Sequence, residues 1–192
     1  MELVTLNSHT LPLRDIKQRC FSHGAWHSGG VSAPLWYFAY GSNMAPAIFV
    51  ERRGMRPSSA TWGWVDGYRL CFDLPVGPGE RGVANVVPDA GSRTCGVLYR
   101  ITSEEGERLD RSEGVHAGYY RRIVVIATAA DASSIEAFTY HSAYASLGRK
   151  PSPRYMGLLL DGARKHGLPE DYVASLRAFE LACDERLEHE RE

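Results

Sequence analysis

One segment sets the expected fold of this 192-residue chain: Tyr37-Phe38-Ala39-Tyr40-Gly41-Ser42-Asn43. Residues 35–40 are apolar and aromatic, and a polar turn follows at once, a pattern that predicts a buried strand running into a tight loop. Gly41 leaves the backbone open to close approach, because it has no Cβ atom. Successive N–H groups in such a turn can point at one spot and bind an anion, and a helix from Met44 would add its amino terminus. The segment is therefore a candidate binding loop, although turns of this composition more often only connect two elements.

Outward from this segment the sequence predicts six strands, at residues 35–40, 64–72, 82–87, 94–101, 119–127 and 135–141. Glycine, proline, aspartate and serine separate most of them by short turns, which favours antiparallel neighbours. Helices are predicted at residues 44–53, 102–112, 154–166 and 169–180, and the second of these begins with the capping-box pair Thr102 and Glu105. The predicted fold class is α+β: a small mixed, largely antiparallel β-barrel with flanking α-helices.

The chain has the length of one domain with a sizeable core, and a second full domain is not expected. Residues 1–34 hold scattered apolar residues, several histidines and a glycine- and serine-containing run, and they are predicted to form an irregular N-terminal leader. The folded, catalytic domain is expected over residues 35–181. Residues 182–192 are highly charged and are predicted to be a solvated C-terminal tail.

Composition and charge exclude several classes of protein. Apolar residues make up 44% of the chain, charged residues 23%, and the net charge is −1, the ordinary mix of a globular soluble protein. No basic cluster stands out, so neither nucleic acid nor a membrane surface is expected as a partner. No apolar run reaches the roughly 18 residues of a membrane span. Because the amino terminus lacks the basic start and apolar run of a secretory signal, a cytoplasmic location is expected.

The cysteines and histidines indicate neither a disulfide framework nor a metal site. The four cysteines are far apart and form no C-x-x-C pair, so reduced thiols are expected; they are Cys20, Cys71, Cys95 and Cys183. Cys20, His23 and His27 have spacings that a metal could use, but no second ligand pair at zinc-site spacing accompanies them. No metal is therefore expected.

A second segment with candidate chemistry is Leu109-Asp110-Arg111-Ser112-Glu113-Gly114-Val115. If Gly114 ends the predicted helix, Glu113 lies at its carboxyl end, where the macrodipole disfavours a carboxylate. Burial among the aromatic residues that follow would act in the same direction and raise the pKa of Glu113. A carboxyl group with a raised pKa can accept and return a proton near neutral pH, as a general acid/base does. The alternative, from these residues alone, is a solvated carboxylate at a helix end.

Ser42 is a rival candidate, as the nucleophile of a hydrolase. It lacks the G-x-S-x-G surroundings of a nucleophile elbow, and nothing in the sequence places His116 or His141 beside it as a base. The thiols of Cys71 and Cys95 lie within apolar strand patterns and are expected to be inert.

Taken together, these segments resemble the γ-glutamylcyclotransferases, close to the branch that includes the animal enzyme. The resemblance extends from about Tyr37 to Glu180, and its motifs follow the family order with similar spacing. They are residues 37–44, Leu109-Asp110 with Glu113-Gly114-Val115, Gly118-x-Tyr120, Pro151-Ser152-Pro153-x-Tyr155, and Gly162-Ala163 with Gly167-Leu168-Pro169.

The resemblance implies both a fold and a set of site residues. The implied fold is the small mixed barrel with flanking helices. Glu113 takes the place of the catalytic acid/base, and Tyr120 and Tyr155 are expected in the lining of the site. The loop expected to hold the glutamyl group, largely by backbone contacts, consists of Tyr37, Phe38, Ala39, Tyr40, Gly41, Ser42 and Asn43. The implied reaction needs no metal or organic cofactor.

That reaction is the cyclisation of the γ-glutamyl group of a small γ-glutamyl amino acid or amine to 5-oxoproline, with release of the amine. The Asn43-Met44 ending of the loop argues against membership of the glutathione-specific branch. Intact glutathione is therefore not expected to be the preferred substrate. The long leader leaves open a dedicated enzyme that deprotects a γ-glutamylated biosynthetic or catabolic intermediate. A non-catalytic module that binds γ-glutamyl metabolites is a further alternative. The chain is expected to be a monomer or a homodimer.

Overall fold

The computed structural model describes residues 34–77 and 79–183, and in this part of the chain five strands form a closed barrel in the order β1-β3-β2-β4-β5. All neighbouring strands are antiparallel except β1 and β5, which are parallel and pair Tyr37 with Phe138. The predicted α+β class with a mixed, largely antiparallel barrel is confirmed. The strands are β1 Leu35–Ala39, β2 Ser59–Pro75, β3 Gly82–Ile101, β4 Arg121–Ala129 and β5 Ser134–His141.

The prediction of six strands is wrong in one place, because residues 82–87 and 94–101 belong to the single strand β3. Residues 88–92 have the composition of a turn, and the Asp89 carboxylate accepts hydrogen bonds within this run. The partner strand β2 shifts register at residues 66–68. Residues 88–92 are therefore accommodated as an irregularity in the continuous pairing of β2 with β3, as in a β-bulge.

Three α-helices flank the barrel: α1 Ser103–Ser112, α2 Pro153–Lys165 and α3 Glu170–Arg177. The predicted capping box is present at the start of α1, where the Thr102 side chain accepts a hydrogen bond from the Glu105 amide and the Glu105 carboxylate accepts one from the Thr102 amide. Gly114 has a φ angle of 69° directly after the C-cap, which a residue with a side chain rarely adopts. This glycine fixes the point at which α1 ends.

The helix predicted at residues 44–53 is instead two short turns, a 3-10 turn at Ser42–Met44 and a π-helical turn at Ala47–Arg52. Pro46 separates them. The residue before a proline is pushed toward extended backbone angles, and Ala45 has φ −76° and ψ 124°. A single α-helix cannot continue through that position.

The loop after β1 is held from two sides. On the barrel side, Phe49 of the π-helical turn is fully buried and stacks between Tyr37 and Tyr99, with ring centroids 5.7 and 4.1 Å away. On the other side, Gly162 of α2 lies so close to Met44 that a Cβ atom would be 2.5 Å from the Met44 carbonyl carbon. The polar turn is therefore fixed between the barrel and α2.

The remaining predictions about chain organisation concern other parts of the chain. Residues 1–33, with Cys20, His23 and His27, and residues 184–192 lie outside the described residues. None of the described helices is long and apolar enough to cross a membrane.

Candidate active site

A pocket with an empty volume of about 310 Å³ lies where the loop after β1 meets the carboxyl end of α1. It joins the two segments that the sequence singled out, which are 70 residues apart. Ala84 and Tyr140 complete its lining and were not predicted. The predicted residues that line it are Tyr37, Tyr40, Gly41, Ser42, Asn43, Glu113, Tyr120 and Tyr155.

Phe38 and Ala39 are the two predicted binding-loop residues that the structure places elsewhere. Their exposed fractions are 1% and 0%, and both belong to the hydrophobic core. The Phe38 carbonyl accepts a hydrogen bond from the Thr139 hydroxyl at 2.7 Å, and its ring packs over Gly96. Successive side chains of a strand point to opposite faces, so Phe38 points away from the pocket that Tyr37 lines. Both residues support the loop from the barrel, and neither contributes to the pocket lining.

Glu113 is the C-cap residue of α1, and its side chain is 15% exposed. Its Oε1 atom accepts a hydrogen bond from Asn43 Nδ2 at 2.9 Å and forms an ion pair with Arg53 Nη2 at 2.8 Å. Among the described residues, Oε2 has no hydrogen-bond partner. One carboxylate oxygen is thus anchored, and the other is left for a ligand.

Asn43 is 5% exposed and uses the two ends of its amide differently. Nδ2 donates to the Tyr37 hydroxyl at 2.9 Å as well as to Glu113. Oδ1 is buried and has no hydrogen-bond partner among the residues that the structure describes. Buried polar atoms are rarely unpaired, so an unpaired acceptor in the lining of a pocket marks a place where a ligand can donate.

Tyrosine hydroxyls form most of the remaining polar lining. Hydrogen bonds fix three of them: Tyr40 donates to the Tyr140 carbonyl at 2.6 Å, Tyr120 to the Ala84 carbonyl at 2.8 Å, and Tyr140 to Asp110 Oδ1 at 2.7 Å. These hydroxyls stay protonated near neutral pH and do not compete with Glu113 as a base. Burial is the main cause that raises the pKa of all five lining tyrosines, which are Tyr37, Tyr40, Tyr120, Tyr140 and Tyr155.

The hydroxyl of Tyr155 is held by the backbone of β3. The Ala84 N–H donates to this oxygen at 3.1 Å. Burial raises the pKa of Tyr155, and hydrogen bonds from Ala84 and from the backbone and side chain of Ser42 oppose that effect. The sequence predicted that the amides of Gly41 and Ser42 point at one spot, and this stays a prediction. Gly41 makes the approach possible, because a Cβ atom there would be 3.1 Å from both Ala84 Cβ and Tyr155 Oη.

Ser42 lacks the surroundings of a catalytic serine. Among the described residues, no hydrogen bond joins it to a histidine. The His141 ring contacts the Val86 carbonyl through Nδ1 at 2.7 Å, and His116 is exposed. The geometry therefore provides no base for the serine-hydrolase alternative.

The thiols of Cys71 and Cys95 are not activated. Burial is the largest cause that raises the pKa of Cys71 to about 12 and that of Cys95 to about 11, so both remain protonated near neutral pH. Within residues 34–77 and 79–183, no cluster of three or more His, Cys, Asp or Glu side chains could hold a metal ion.

Three residues of the site were missed from the sequence. Arg53 is the second of two consecutive arginines, and nothing local distinguishes it from Arg52. Ala84 and Tyr140 lie within predicted strands, and only the pairing of the strands brings them to the pocket. Tyr140 carried one usable signal, since a tyrosine hydroxyl in a buried strand needs a hydrogen-bond partner.

Known proteins resemble this chain in sequence and in fold. The sequence model of the AIG2-like family matches residues 93–176. The mouse gamma-glutamylcyclotransferase is 32% identical over 162 residues, which cover 80% of this chain and 83% of the mouse protein. The gamma-glutamyl cyclotransferase gliK of Claviceps purpurea is 32% identical over 143 residues, which cover 69% of this chain and 64% of the fungal protein.

Among solved structures, a gamma-glutamyl cyclotransferase superposes with a TM-score of 0.71 at 25% identity. The superposition covers 82% of this chain and 95% of the chain of the solved structure. The similarity in sequence and in fold thus extends over most of both chains and is not limited to one short motif. This chain belongs to the gamma-glutamylcyclotransferase family.

Proposed function

We propose that this protein is a γ-glutamylcyclotransferase, which converts the γ-glutamyl group of a small γ-glutamyl compound into 5-oxoproline and releases the amine. The observation that carries the proposal is the Glu113 carboxylate, which has one anchored oxygen and one oxygen without a hydrogen-bond partner among the described residues. It is the only ionisable carboxyl group in the lining of the pocket, where the other described residues are neutral tyrosines, Ala84 and the loop. The names of the relatives support the same activity.

In the proposed reaction Glu113 accepts a proton from the α-ammonium group of the substrate. The freed amine attacks the γ-carbonyl carbon and forms the C–N bond of a five-membered lactam. The bond from this carbon to the leaving nitrogen then breaks as Glu113 returns its proton to that nitrogen. Glu113 carries a second proton from the ring nitrogen to the leaving amine in the same way. Two hydrogens of the ammonium group thus end on the leaving amine, which departs as an ammonium ion, and Glu113 finishes ionised. The balance needs neither water nor a redox partner.

The pocket's main contribution is orientation, because nucleophile and electrophile belong to one flexible molecule. Holding them in a near-attack geometry can lower the barrier by several kcal/mol, up to roughly 7–11 in favourable systems. Asn43 Oδ1 is an acceptor of the right kind for the substrate ammonium group. The Tyr155 hydroxyl accepts a hydrogen bond from the Ala84 N–H, and its own proton, which has no acceptor among the described residues, is available to stabilise the oxyanion that develops on the γ-carbonyl.

A second candidate keeps this chemistry and changes the leaving group to that of a dedicated γ-glutamylated intermediate. An exposed pair of aromatic side chains near Glu113 favours this second candidate. Tyr119 and Tyr144 are 59% and 57% exposed, their ring centroids are 6.4 Å apart, and Tyr119 packs on Gly114, next to Glu113. An aromatic or otherwise bulky amine would gain contact there that a small amino acid would not. We expect either reaction to take place in the cytoplasm.

The test is mass spectrometry of the products from a small panel: γ-glutamyl-alanine, γ-glutamyl-lysine, γ-glutamyl-anilide and glutathione. We expect 5-oxoproline, with glutathione the poorest substrate; a preference for the anilide over γ-glutamyl-alanine would favour the second candidate. Release of free glutamate would identify a hydrolase, and binding without product would identify a binding module.

The variant that tests the role of Glu113 is Glu113→Gln, which keeps the size of the side chain but cannot accept the ammonium proton. Loss of a general base typically costs a factor of about 10² to 10⁴, so turnover should fall at least a hundredfold while the circular dichroism spectrum stays unchanged. A folded variant with more than about a tenth of the wild-type rate would show that Glu113 is not the base.

A further inference from the structure

We propose that Arg53 is a positioning residue for the reaction: it holds Oε1 of Glu113, keeps the carboxylate ionised, and leaves Oε2 to accept the substrate's proton. This inference rests on the proposed function, because it assigns a role relative to Glu113 as the base. Arg53 is absent from the lining of the pocket, and it acts through Glu113 alone.

The contacts of Arg53 place its guanidinium behind Glu113. Nη2 lies 2.8 Å from Oε1, and the exposed fractions of the two side chains are 19% and 15%. Nη1 donates to the hydroxyl of Ser112, which itself donates to the Leu109 carbonyl at 2.9 Å. Arg53 is therefore attached to two consecutive residues at the end of α1, and this double contact fixes the direction from which it reaches the carboxylate.

The backbone of Arg53 is fixed as well. It is the C-cap residue of the π-helical turn, and its N–H donates to the Ile48 carbonyl at 3.0 Å. That turn is anchored in the core by Phe49, whose side chain is fully buried. The guanidinium thus has a defined position in the absence of substrate, which is the property expected of a preorganised group.

Electrostatics give this contact a functional consequence. Glu113 lies at the carboxyl end of α1 and is largely buried, and both conditions disfavour a negative charge. Among the described residues, Arg53 is the one cation in contact with it. The other titratable groups that face Glu113 are tyrosine hydroxyls from three further elements and offer no positive charge: Tyr37 and Tyr40 from β1 and the loop after it, Tyr120 before β4, and Tyr155 of α2.

The sign of the pH effect follows. Glu113 accepts a proton only when ionised, so the acidic limb of the kcat/KM profile marks its protonation in the free enzyme. Removing the adjacent cation favours protonation at higher pH. Because an opposite charge within about 4–6 Å favours the charged form of a carboxyl group, Arg53→Gln should move the acidic limb to higher pH. Activity lost near pH 7 should then recover on the alkaline side.

The experiment is a kcat/KM profile for 5-oxoproline formation between pH 5 and 9 with the best substrate of the panel. Arg53→Lys retains a positive charge and should fall between wild type and Arg53→Gln. Ser112→Ala keeps the arginine but removes its second anchor at an exposed position, so the acidic limb should move upward by less than it does on loss of the charge itself. The matched control is Arg52→Gln, an exposed neighbour, which should leave the profile unchanged.

Two results would overturn the inference. If Arg53→Gln raised KM equally at all pH values without moving the acidic limb, Arg53 would bind the substrate directly. If activity fell at every pH together with the melting temperature, its role would be structural. Should Arg53→Gln fail to fold, an unshifted profile for Ser112→Ala, whose arginine has lost its second anchor, would count against the proposal. A wild-type protein that forms no 5-oxoproline would instead refute the proposed function, and the two failures are thereby distinguished.

Discussion

The side-chain amide of Asn43 is divided between the protein and the pocket. Its Nδ2 group is committed to Tyr37 and Glu113, and its Oδ1 atom is buried without a partner among the described residues. A buried acceptor left unsatisfied costs about 1–3 kcal/mol. An ammonium group bound at Oδ1 would satisfy this acceptor. Part of the free energy of substrate binding would therefore come from removing that cost.

This division leads to a prediction for Asn43→Asp, which preserves the shape of the side chain. The new carboxylate replaces a donor that lies 2.9 Å from Glu113 Oε1, and two carboxylates at that distance share a proton. The proton-accepting ability of Glu113 is reduced, and kcat near pH 7 should fall about a hundredfold, the scale of a lost general base. KM should not rise, because a carboxylate also binds an ammonium group.

Asn43→Ala is the contrasting variant, since it removes both ends of the amide and should raise KM as well as lower kcat. Steady-state rates of 5-oxoproline formation, with melting temperatures for both variants, provide the measurement. An Asn43→Asp protein that retains wild-type kcat would show that the contact with Glu113 has no part in the reaction.

Gly41 supports a second prediction at this scale. A Cβ atom at this position would lie 3.1 Å from Ala84 Cβ and Tyr155 Oη, and the branches of valine would extend further into the pocket. Gly41→Val should displace Tyr155 and reduce kcat/KM by more than about a hundredfold, whereas Gly41→Ala should be milder, because overpacking grows with each added methyl group. Substrate titration by calorimetry checks whether binding is lost. Wild-type affinity in the valine variant would contradict the proposed packing.

The residues of the site differ in how far the sequence could predict them. Glu113 and Asn43 stand in local motifs that have a chemical meaning of their own. Arg53 does not, because its relevance arises only when the π-helical turn and the end of α1 come together. Phe38 is the opposite case: it lies inside the motif, but the alternation of side chains along β1 directs its side chain into the core.

At the scale of elements, the contact between α2 and the 3-10 turn at Ser42–Met44 is the closest support of the binding loop. Gly162 would place a Cβ atom 2.5 Å from the Met44 carbonyl carbon and 2.7 Å from the Ala45 nitrogen. Both are backbone atoms and cannot rotate out of the way. A side chain on this face of α2 therefore moves either the helix or the turn that lines the pocket.

Gly162→Ala should consequently destabilise the protein by about 1–3 kcal/mol, the usual cost of overpacking, and raise KM by shifting the loop. Gly157→Ala is the matched control, because it lies in the same helix and a Cβ atom there would meet nothing within 4 Å. Its better helix propensity should stabilise the fold by about 0.5–1 kcal/mol. Denaturant unfolding of both variants provides the comparison, and equal stabilities would refute the inferred tight contact.

Local signals explain which elements were predictable. The start and end of α1 follow from Thr102, Glu105 and Gly114, whose effects act within a few residues. The continuity of β3 through residues 88–92 does not follow from local signals, because it depends on pairing with β2 across the barrel. Turn-forming residues indicate where a chain can bend, and the long-range ladder determines whether the strand also ends there.

At the scale of the whole molecule, closure of the barrel assembles the pocket. The loop after β1 provides Asn43, the beginning of β3 provides Ala84, and the end of β5 provides Tyr140. The parallel pairing of β1 with β5 closes the ring and places Tyr140 near Tyr37, with ring centroids 5.7 Å apart. The sequence predicted a barrel but not this strand order, and the order alone decides which distant residues meet.

The assembled pocket makes a prediction about the reaction as a whole. If the α-amine of the substrate is the nucleophile, a γ-glutamyl compound with an acetylated α-nitrogen should not turn over. Its nitrogen lone pair is delocalised into the acetyl carbonyl, and it has no ammonium proton for Glu113 to accept. The measurement is one incubation with product analysis, beside the unblocked compound.

The informative result is the product, because failure of the blocked compound alone has two explanations: lost chemistry or a misfit of the acetyl group. A competition assay separates them, since a blocked compound that binds should inhibit the reaction of the unblocked one. A hydrolase takes its nucleophile from water or from Ser42 and would still cleave the blocked compound. N-acetylglutamate released at a rate near that of the control would therefore exclude the cyclotransferase mechanism. Inhibition without any product would leave the substrate's own amine as the attacking group. Glu113 Oε2, which has no hydrogen-bond partner among the described residues, is the atom we propose to free it.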